Sequence, residues 1–142
     1  MSEQDWQNIK QKMKILGIDF GKKKVGVAWA ETNTGLSEPL GVFPILTFFQ
    51  LLQGNKVGLN LEEVDKIIIG KTGGKIDKEI EKFAEEVKKL SSKPIFFYDE
   101  TLTSQEAQKN LIMAGVGKKK RKKKEDALSA ALMLQYYLES HV

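Results

Sequence analysis

Acidic residues stand at three places in this chain where a predicted strand ends or a predicted helix begins. Asp19 ends an apolar stretch, the pair Asp99 and Glu100 follows another, and Asp126 opens the last helical pattern. With no cysteine and one histidine in the chain, carboxylate oxygens are the main candidate metal ligands. Mg²⁺ and Mn²⁺ prefer oxygen ligands, often carboxylates combined with substrate phosphates. The pattern predicts a hard-cation site built from these acids, and we expect it to hold two Mg²⁺ or Mn²⁺ ions.

The two adjacent acids cannot play the same part. Successive residues of a regular strand point to opposite faces, so at most one of Asp99 and Glu100 shares a face with Asp19. We favour Glu100 as the ligand and Asp99 as a supporting acid. Each acid also has a structural explanation. Asp19 could accept backbone N–H groups in a turn. Asp99 or Glu100 could be a helix N-terminal acid favoured by the dipole, and so could Asp126.

Seven consecutive cations directly precede the last acid. They contribute +7 to a formal net charge of +4, so the rest of the chain carries −3. A local basic patch beside carboxylates predicts contact with a phosphate backbone, which is salt-dependent and blind to sequence. A solvated loop that becomes ordered only on binding is the expected form of this run. The run consists of Lys118, Lys119, Lys120, Arg121, Lys122, Lys123 and Lys124, and further candidate phosphate contacts are Lys22, Lys23, Lys24 and Lys71.

Length and composition indicate a single globular domain. The chain has 142 residues, of which 41% are hydrophobic and 30% charged. It has no apolar run near the ~20 residues of a membrane span, and residues 1–13 lack the apolar centre of a secretory signal. The absence of cysteine excludes disulfides, thiolate zinc sites and cysteine catalysis. We expect a cytoplasmic protein whose polar residues 1–12 form an extension outside the core fold.

The order of predicted elements favours an α/β fold. Three strands come first, and strands then alternate with helices, which predicts a mixed sheet: an antiparallel meander followed by parallel crossovers, with helices on both faces. Strands are predicted at 14–19, 25–31, 40–43, 64–70 and 94–98, and helices after residue 45 and at 77–90, 103–114 and 126–140. The apolar face of the last helix is predicted to carry Leu128, Ala131, Leu132, Gln135 and Leu138.

Three motifs in this order resemble the YqgF/RuvX family of RNase H-like nucleases. They are Gly17-Ile18-Asp19-Phe20-Gly21 followed by Val25-Gly26-Val27-Ala28, then Asp99 to Ala107, and then Ala114-Gly115-Val116 with the basic run and Asp126 to Ala131. The resemblance covers residues 13–140. It implies an RNase H-like fold with a five-stranded sheet and one nuclease domain over residues 13–142. It also implies a divalent-metal site made by Asp19, Glu100 and Asp126.

The resemblance further implies a role in maturing the 5′ end of 16S rRNA, or in resolving Holliday junctions. The substrate would then be pre-rRNA or branched DNA. Junction resolution needs two symmetric cuts and therefore a homodimer, whereas an end-processing nuclease could be a monomer. The chain departs from the family in two places: Gly70-Lys71-Thr72-Gly73 stands where Gly-Leu-Pro is usual, and Thr101 replaces a usual arginine.

Two other functions fit part of the pattern. Asp-x-Gly followed by Gly-Val also resembles the phosphate loop of actin-like and sugar-kinase ATPases, but those chains are far longer and duplicate the domain. A non-catalytic RNA-binding assembly factor would use the basic run without the acids. A P-loop at Gly70-Lys71-Thr72 is excluded, because the motif needs a glycine where Asp65 stands.

Overall fold

A computed structural model of the chain describes residues 2–3, 13–54, 61–99 and 118–141, with backbone alone at 118–126 and 141. The strands are β1 (Lys14–Phe20), β2 (Lys24–Glu31), β3 (Leu36–Pro44), β4 (Lys66–Lys71) and β5 (Ile95–Asp99). The helices are α1 (Ile45–Gln53), α2 (Asp77–Ser91) and α3 (Lys118–His141), and a 3₁₀ turn covers Leu61–Glu63.

The five strands form one mixed sheet in the order β3-β2-β1-β4-β5. β1, β2 and β3 pair antiparallel, while β1 with β4 and β4 with β5 pair parallel. The predicted meander followed by parallel crossovers is therefore confirmed. The parallel strands β1, β4 and β5 all finish at one end of the sheet, which we call the carboxyl end.

Each face of the sheet carries its own hydrophobic cluster. Leu16 and Ile18 of β1 pack with α1 and α2, on what we call the α2 face. Ile15 of the same strand packs with α3, on the α3 face. This alternation follows from the period of two along a strand, and it confirms that helices cover both faces.

The turn between β1 and β2 depends on a glycine. The Gly21 amide donates to the Lys24 carbonyl at 3.0 Å and closes the turn. A Cβ atom at Gly21 would lie 2.7 Å from that carbonyl oxygen, which no side chain tolerates. The predicted hairpin is thus confirmed, and Gly21 allows its tight turn beside Asp19.

The third strand is longer than the predicted span of 40–43. It runs from Leu36 to Pro44 and includes Pro39. β3 lies at the edge of the sheet and pairs with β2 alone, with a register shift at Val27 and Ala28 of β2. Proline is tolerated on an edge strand or at such an irregularity, which is why it does not end this one.

The last helix begins at Lys118, eight residues before the predicted start at Asp126. The expected loop at 118–124 is therefore wrong: this run has a helical backbone. Lysine and arginine are good helix formers, and neither glycine nor proline interrupts residues 118–141.

The predicted apolar face of this helix is partly wrong. Ala131 and Leu138 are buried as expected, but Leu128 and Leu132 are half-exposed. The helix is apolar nearly all round here, so its period alone does not select a face. Contacts with the sheet select it instead, and they bury Ala130, Met133, Leu134 and Tyr137.

The other elements agree with prediction where they are described. α2 buries Ile80, Phe83, Ala84 and Val87, as its spacing indicates. The predicted helix at 103–114 lies outside the described residues, as does nearly all of the 1–12 extension. Among the described helices, none is long and apolar enough to cross a bilayer.

Candidate active site

Asp19 lies near the end of β1, at the carboxyl end of the sheet. Along β1, Ile15 belongs to the α3 cluster while Leu16 and Ile18 belong to the other. A Cβ atom at Gly17 would meet Leu134 of α3. Alternation therefore directs the half-buried Asp19 side chain to the α3 face.

Glycines stand on both sides of Asp19. Gly26 of β2 is its antiparallel partner. On the other side, Ile18 pairs with Ile69 of β4, so the next residue, Gly70, lies at the level of Asp19. Neither neighbour has a Cβ atom, so no side chain of β2 or β4 covers the sheet at this level. A carboxylate in such a position can be approached by a bulky ligand.

Helix α3 points its N-terminal half at the same end of the sheet. Leu134 of the helix lies over Gly17 of β1. Further along the helix, the Tyr137 hydroxyl accepts a hydrogen bond from Lys66 Nζ at 2.6 Å, and Lys66 pairs with Ile15, two residues before Gly17. The helix therefore runs antiparallel to β1. The helix backbone extends about 12 Å from Leu134 back to Asp126, whereas β1 extends about 7 Å from Gly17 to Asp19. The backbone at Asp126 thus lies slightly beyond the level of Asp19.

The structure describes the first acid of the predicted pair, Asp99, which ends β5. Phe97 lies under Lys71, whose ammonium binds Glu81 of α2, so Phe97 is on the α2 face. Tyr98 packs against the α3 cluster. Regular alternation then directs the exposed Asp99 to the α2 face, opposite to Asp19. Glu100 lies outside the described residues.

Lys71 has partners within the fold. Its ammonium is 2.8 Å from Glu81 Oε1 and 4.2 Å from the Phe97 ring centre. Both contacts lie on the α2 face, away from the Asp19 side chain. The contact of Lys71 with phosphate remains a prediction. A phosphate group would have to compete with Glu81 and Phe97 for the Lys71 ammonium. In the β1–β2 turn, by contrast, Lys22 and Lys23 are exposed.

The glycine-rich turn after β4 is braced by a carboxylate that sequence reasoning missed. Asp77 accepts hydrogen bonds from the amides of Thr72 and Gly73, at 3.1 and 2.9 Å. The Gly74 amide donates to the Thr72 hydroxyl at 3.2 Å. All three amides are thus used within the turn, so it offers no amide cradle for phosphate of the kind a P-loop provides. An aspartate at the first position of a helix after Gly-Gly was the available signal.

The opposite end of the sheet carries ion pairs that belong to the scaffold. Lys14 Nζ lies 2.7 Å from Glu63 and 3.8 Å from Glu31. The hydrogen bond to Glu63, followed by the charges of both acids, raises the pKa of Lys14 despite an opposing contribution from desolvation. The group is therefore firmly cationic and plays no part at the carboxyl end.

The donor set at the carboxyl end is suited to a hard divalent cation. Among the side chains that the structure describes, no three His, Cys, Asp or Glu residues gather into a metal site. The side chains of Glu100 and Asp126 are not among them. Of the predicted ligands, the described side chains include Asp19, which stands where Gly26 and Gly70 place no side chain beside it. Carboxylate oxygens are the ligands that Mg²⁺ and Mn²⁺ prefer.

The contact between Gly17 and Leu134 gives a stability prediction. A Cβ atom at Gly17 would lie 3.2 Å from Leu134 Cβ, which is a crowded contact. We expect Gly17→Ala to lower the free energy of unfolding by about 1–3 kcal/mol, because α3 must move outward. Urea denaturation measures this loss. Leu134→Ala removes the contacts that the new Cβ atom would make with Leu134 Cδ2 and Cδ1, at 3.3 and 3.5 Å. The double variant should therefore lose less stability than the two single variants together, and strict additivity would contradict the contact.

Comparison with known proteins agrees with this architecture. A family model described as RuvX, Holliday junction resolvase, matches residues 13–140. A protein of Syntrophus aciditrophicus named "Putative pre-16S rRNA nuclease" is 33% identical over 139 residues, covering 90% of this chain and 89% of the relative. A protein of the same name from Thermoanaerobacter pseudethanolicus is 35% identical over 135 residues, covering 90% and 97%.

Among solved structures, the Holliday junction resolvase of Fowlpox virus has the same fold. In its complex with Holliday junction DNA it aligns with a TM-score of 0.57 and 14% identity, covering 90% of this chain and 98% of that one. In a structure described as the resolvase alone the TM-score is 0.51. At this identity the likeness concerns the fold, which is the RNase H-like fold expected from the motifs. Because the RuvX family model matches residues 13–140, the chain belongs to the RuvX family.

Proposed function

We propose that this protein is a divalent-metal-dependent nuclease that hydrolyses phosphodiester bonds in the 5′-end processing of pre-16S rRNA, in the cytoplasm. The observation that carries the proposal is the position of Asp19. It stands at the carboxyl end on the α3 face, between two glycines, and α3 brings the Asp126 backbone to the same end. In open α/β sheets, ligands bind outside the carboxyl ends of the strands. The names of the relatives give the substrate class.

In this proposal Asp19, Glu100 and Asp126 hold the metal, and Asp99 supports the turn from the other face. Two Mg²⁺ or Mn²⁺ ions bound there would supply activation of water and stabilisation of the leaving oxygen. The chain then needs no histidine base. Its one histidine, His141, ends α3 at the opposite end of the sheet.

We also propose one nuclease domain over residues 13–142, preceded by a short extension at 1–12. The proposed domain begins at the first residue that the RuvX model matches. Removal of residues 1–12 should then leave the domain folded.

A cleavage assay with two substrates tests the function. The purified protein is given Mn²⁺ with a pre-16S rRNA fragment and, in parallel, with a four-way DNA junction. Metal-dependent cleavage of the rRNA fragment at its 5′ side is expected. Binding of RNA without cleavage, with Mn²⁺ and again with Mg²⁺, would instead indicate a non-catalytic assembly factor.

The family description favours Holliday junction resolution as the second candidate. Two symmetric cuts require two active sites, so this function predicts a homodimer. Paired cuts across the junction by a dimeric protein, with no cleavage of rRNA, would select it over RNA processing. Sedimentation at the assay concentration supplies the oligomeric state.

The basic run of α3 gives a binding prediction. Glutamine in place of five of its lysines should weaken binding to RNA and to junction DNA alike. For single strands, the slope of log affinity against log salt should become about 3.5 units shallower. Tm should not fall, because cations are unfavourable at a helix N-terminus and repel one another three and four residues apart. Fluorescence anisotropy at several salt concentrations measures the slope. An unchanged slope would show that the run makes no phosphate contact. The five lysines are Lys118, Lys119, Lys120, Lys122 and Lys123.

A further inference from the structure

Two loops with exposed lysines lie beside Asp19 at the carboxyl end of the sheet. The β1–β2 turn carries Lys22 and Lys23, and the segment that leads from β4 into the first turn of α2 carries Lys75 and Lys78. Within the described ranges, none of these four lysines has a carboxylate at ion-pair distance. The lysines at positions 14 and 71, in contrast, are paired with glutamates.

The second of these loops lies on the opposite side of Asp19 from α3. The Phe20 ring, on the α2 face, lies 4.9 Å from the Phe83 ring of α2. Lys78 comes five residues earlier in the helix, which places its backbone about 7 Å nearer the carboxyl end. Lys75 follows five residues after Gly70, which is at the level of Asp19. The strand end that carries Asp19 therefore lies between the basic start of α3 and the start of α2, where Lys75 and Lys78 alternate with the acids Asp77 and Glu79.

The position of Lys78 is unfavourable for the helix itself. The N-terminus of a helix has positive dipole character, so a cation in its first turn is destabilising. Lys88 and Lys89 stand in the last turn of the same helix, where the dipole favours them. Asp77 and Glu79 stand in the same first turn, where the dipole favours them, so Lys78 carries the one charge of that turn that the dipole opposes.

The turn that carries Lys75 is held in one shape before any ligand arrives. The Asp77 carboxylate fixes the amides of Thr72 and Gly73, and the Asp77 amide donates to the Gly74 carbonyl at 3.2 Å. A braced loop loses less conformational entropy on binding than a free one. The bracing thus prepares the turn to present a cation at a fixed place.

We propose that Lys75 and Lys78, together with Lys22 and Lys23, form a second phosphate-contact surface on the α2 side of the carboxyl end. The nucleic-acid backbone would then cross the end of the sheet over Asp19, held by α3 on one side and by this surface on the other. The inference rests on the proposed nuclease function and adds a path for the substrate. Contacts of lysine with phosphate position the strand and carry no sequence information.

Paired charge removals on one helix test the surface. Lys75→Gln with Lys78→Gln is compared with the control pair Lys88→Gln with Lys89→Gln, which removes the same charge from exposed sites at the opposite end of α2. Both pairs are made in the Asp19→Asn background, so that the probe stays intact. The probes are a labelled single-stranded RNA and a labelled four-way DNA junction, and binding is followed by anisotropy from low to moderate salt.

The first pair should weaken RNA binding about fivefold to tenfold and make the salt slope about 1.4 units shallower, which corresponds to two phosphate contacts on a single strand. The control pair should leave affinity and slope unchanged. A larger loss on one probe identifies which nucleic acid uses the surface. Equal effects of the two pairs, or no effect of either, would overturn the proposal.

The failure of this surface is distinguishable from failure of the nuclease function. If the wild-type protein cleaves RNA or junction DNA while the variant that lacks Lys75 and Lys78 binds both probes normally, the function stands and the proposed surface is wrong. If the parent protein neither binds nor cleaves either probe, both are wrong. The circular dichroism melt should stay close to that of the background, rising slightly for the Lys75 and Lys78 pair and falling slightly for the Lys88 and Lys89 pair, as the helix dipole requires.

Discussion

Asp19→Asn should abolish cleavage while leaving the fold intact. The change removes the charge of a metal ligand and keeps its shape at the end of β1. We expect a loss on the order of 10³-fold or more in kcat, equivalent to about 4 kcal/mol of transition-state stabilisation. The measurement is single-turnover cleavage with Mn²⁺, on protein prepared without contact with the wild type.

Binding of metal gives a second result that does not depend on activity. Mn²⁺ should raise the Tm of the parent protein by mass action and should no longer do so for Asp19→Asn. Without metal the variant should melt at the same temperature or slightly higher, since repulsion between carboxylates falls. Glu85→Gln makes the same charge change at an exposed position of α2 and serves as the control. Normal cleavage by Asp19→Asn would remove Asp19 from the site.

Glu100→Gln should reduce cleavage far more than Asp99→Asn, by a factor on the order of 10² or more. Tyr98 packs on the α3 face, and the next residue, Asp99, lies on the α2 face. If alternation continues for one more residue, Glu100 returns to the face of Asp19. Parallel measurement of kcat for the two variants tests this order.

The reverse ranking would identify Asp99 as the ligand. It would require a break in alternation at the end of β5, for example a bulge that turns the carboxylate toward α3. The metal-induced rise in Tm should follow the same ranking as kcat. A rise lost in Asp99→Asn and kept in Glu100→Gln would confirm the reversed assignment independently of turnover.

The fold was predictable because its strands are punctuated by strong local signals. Asp19 with its flanking glycines marks the end of β1, and the apolar run 67–69 can only be a buried strand. α2 was predictable from its spacing, since four of its apolar residues recur on one side. These signals are local, and no distant contact overrides them.

Features that depend on contacts between residues distant in the sequence were predicted less well. The start of β3 was missed because Pro39 reads as a break, whereas an edge strand tolerates it. The register of α3 depends on Gly17 and Lys66, which are more than 60 residues away along the chain. The brace that Asp77 gives to the Thr72 turn involves hydrogen bonds whose geometry no spacing rule reveals.

The candidate site shows the same division. The types and order of the acids indicate a metal site, and strand alternation distinguishes Asp99 from Glu100. The sequence could not predict that Lys71 is occupied by Glu81 and Phe97. This fact depends on how β4, β5 and α2 meet in space.

The single unbroken helix α3 has a consequence for how the protein can vary. The basic run and Asp126 are successive segments of one rigid rod, so the angle between them is set by residue count. Insertion of one residue between Lys124 and Asp126 would rotate the run by about 100° around the helix axis and shift it by about 1.5 Å. An insertion of seven residues nearly restores the angle. Insertions and deletions in this stretch should therefore be tolerated only when they keep the basic run on the same side of the helix as before.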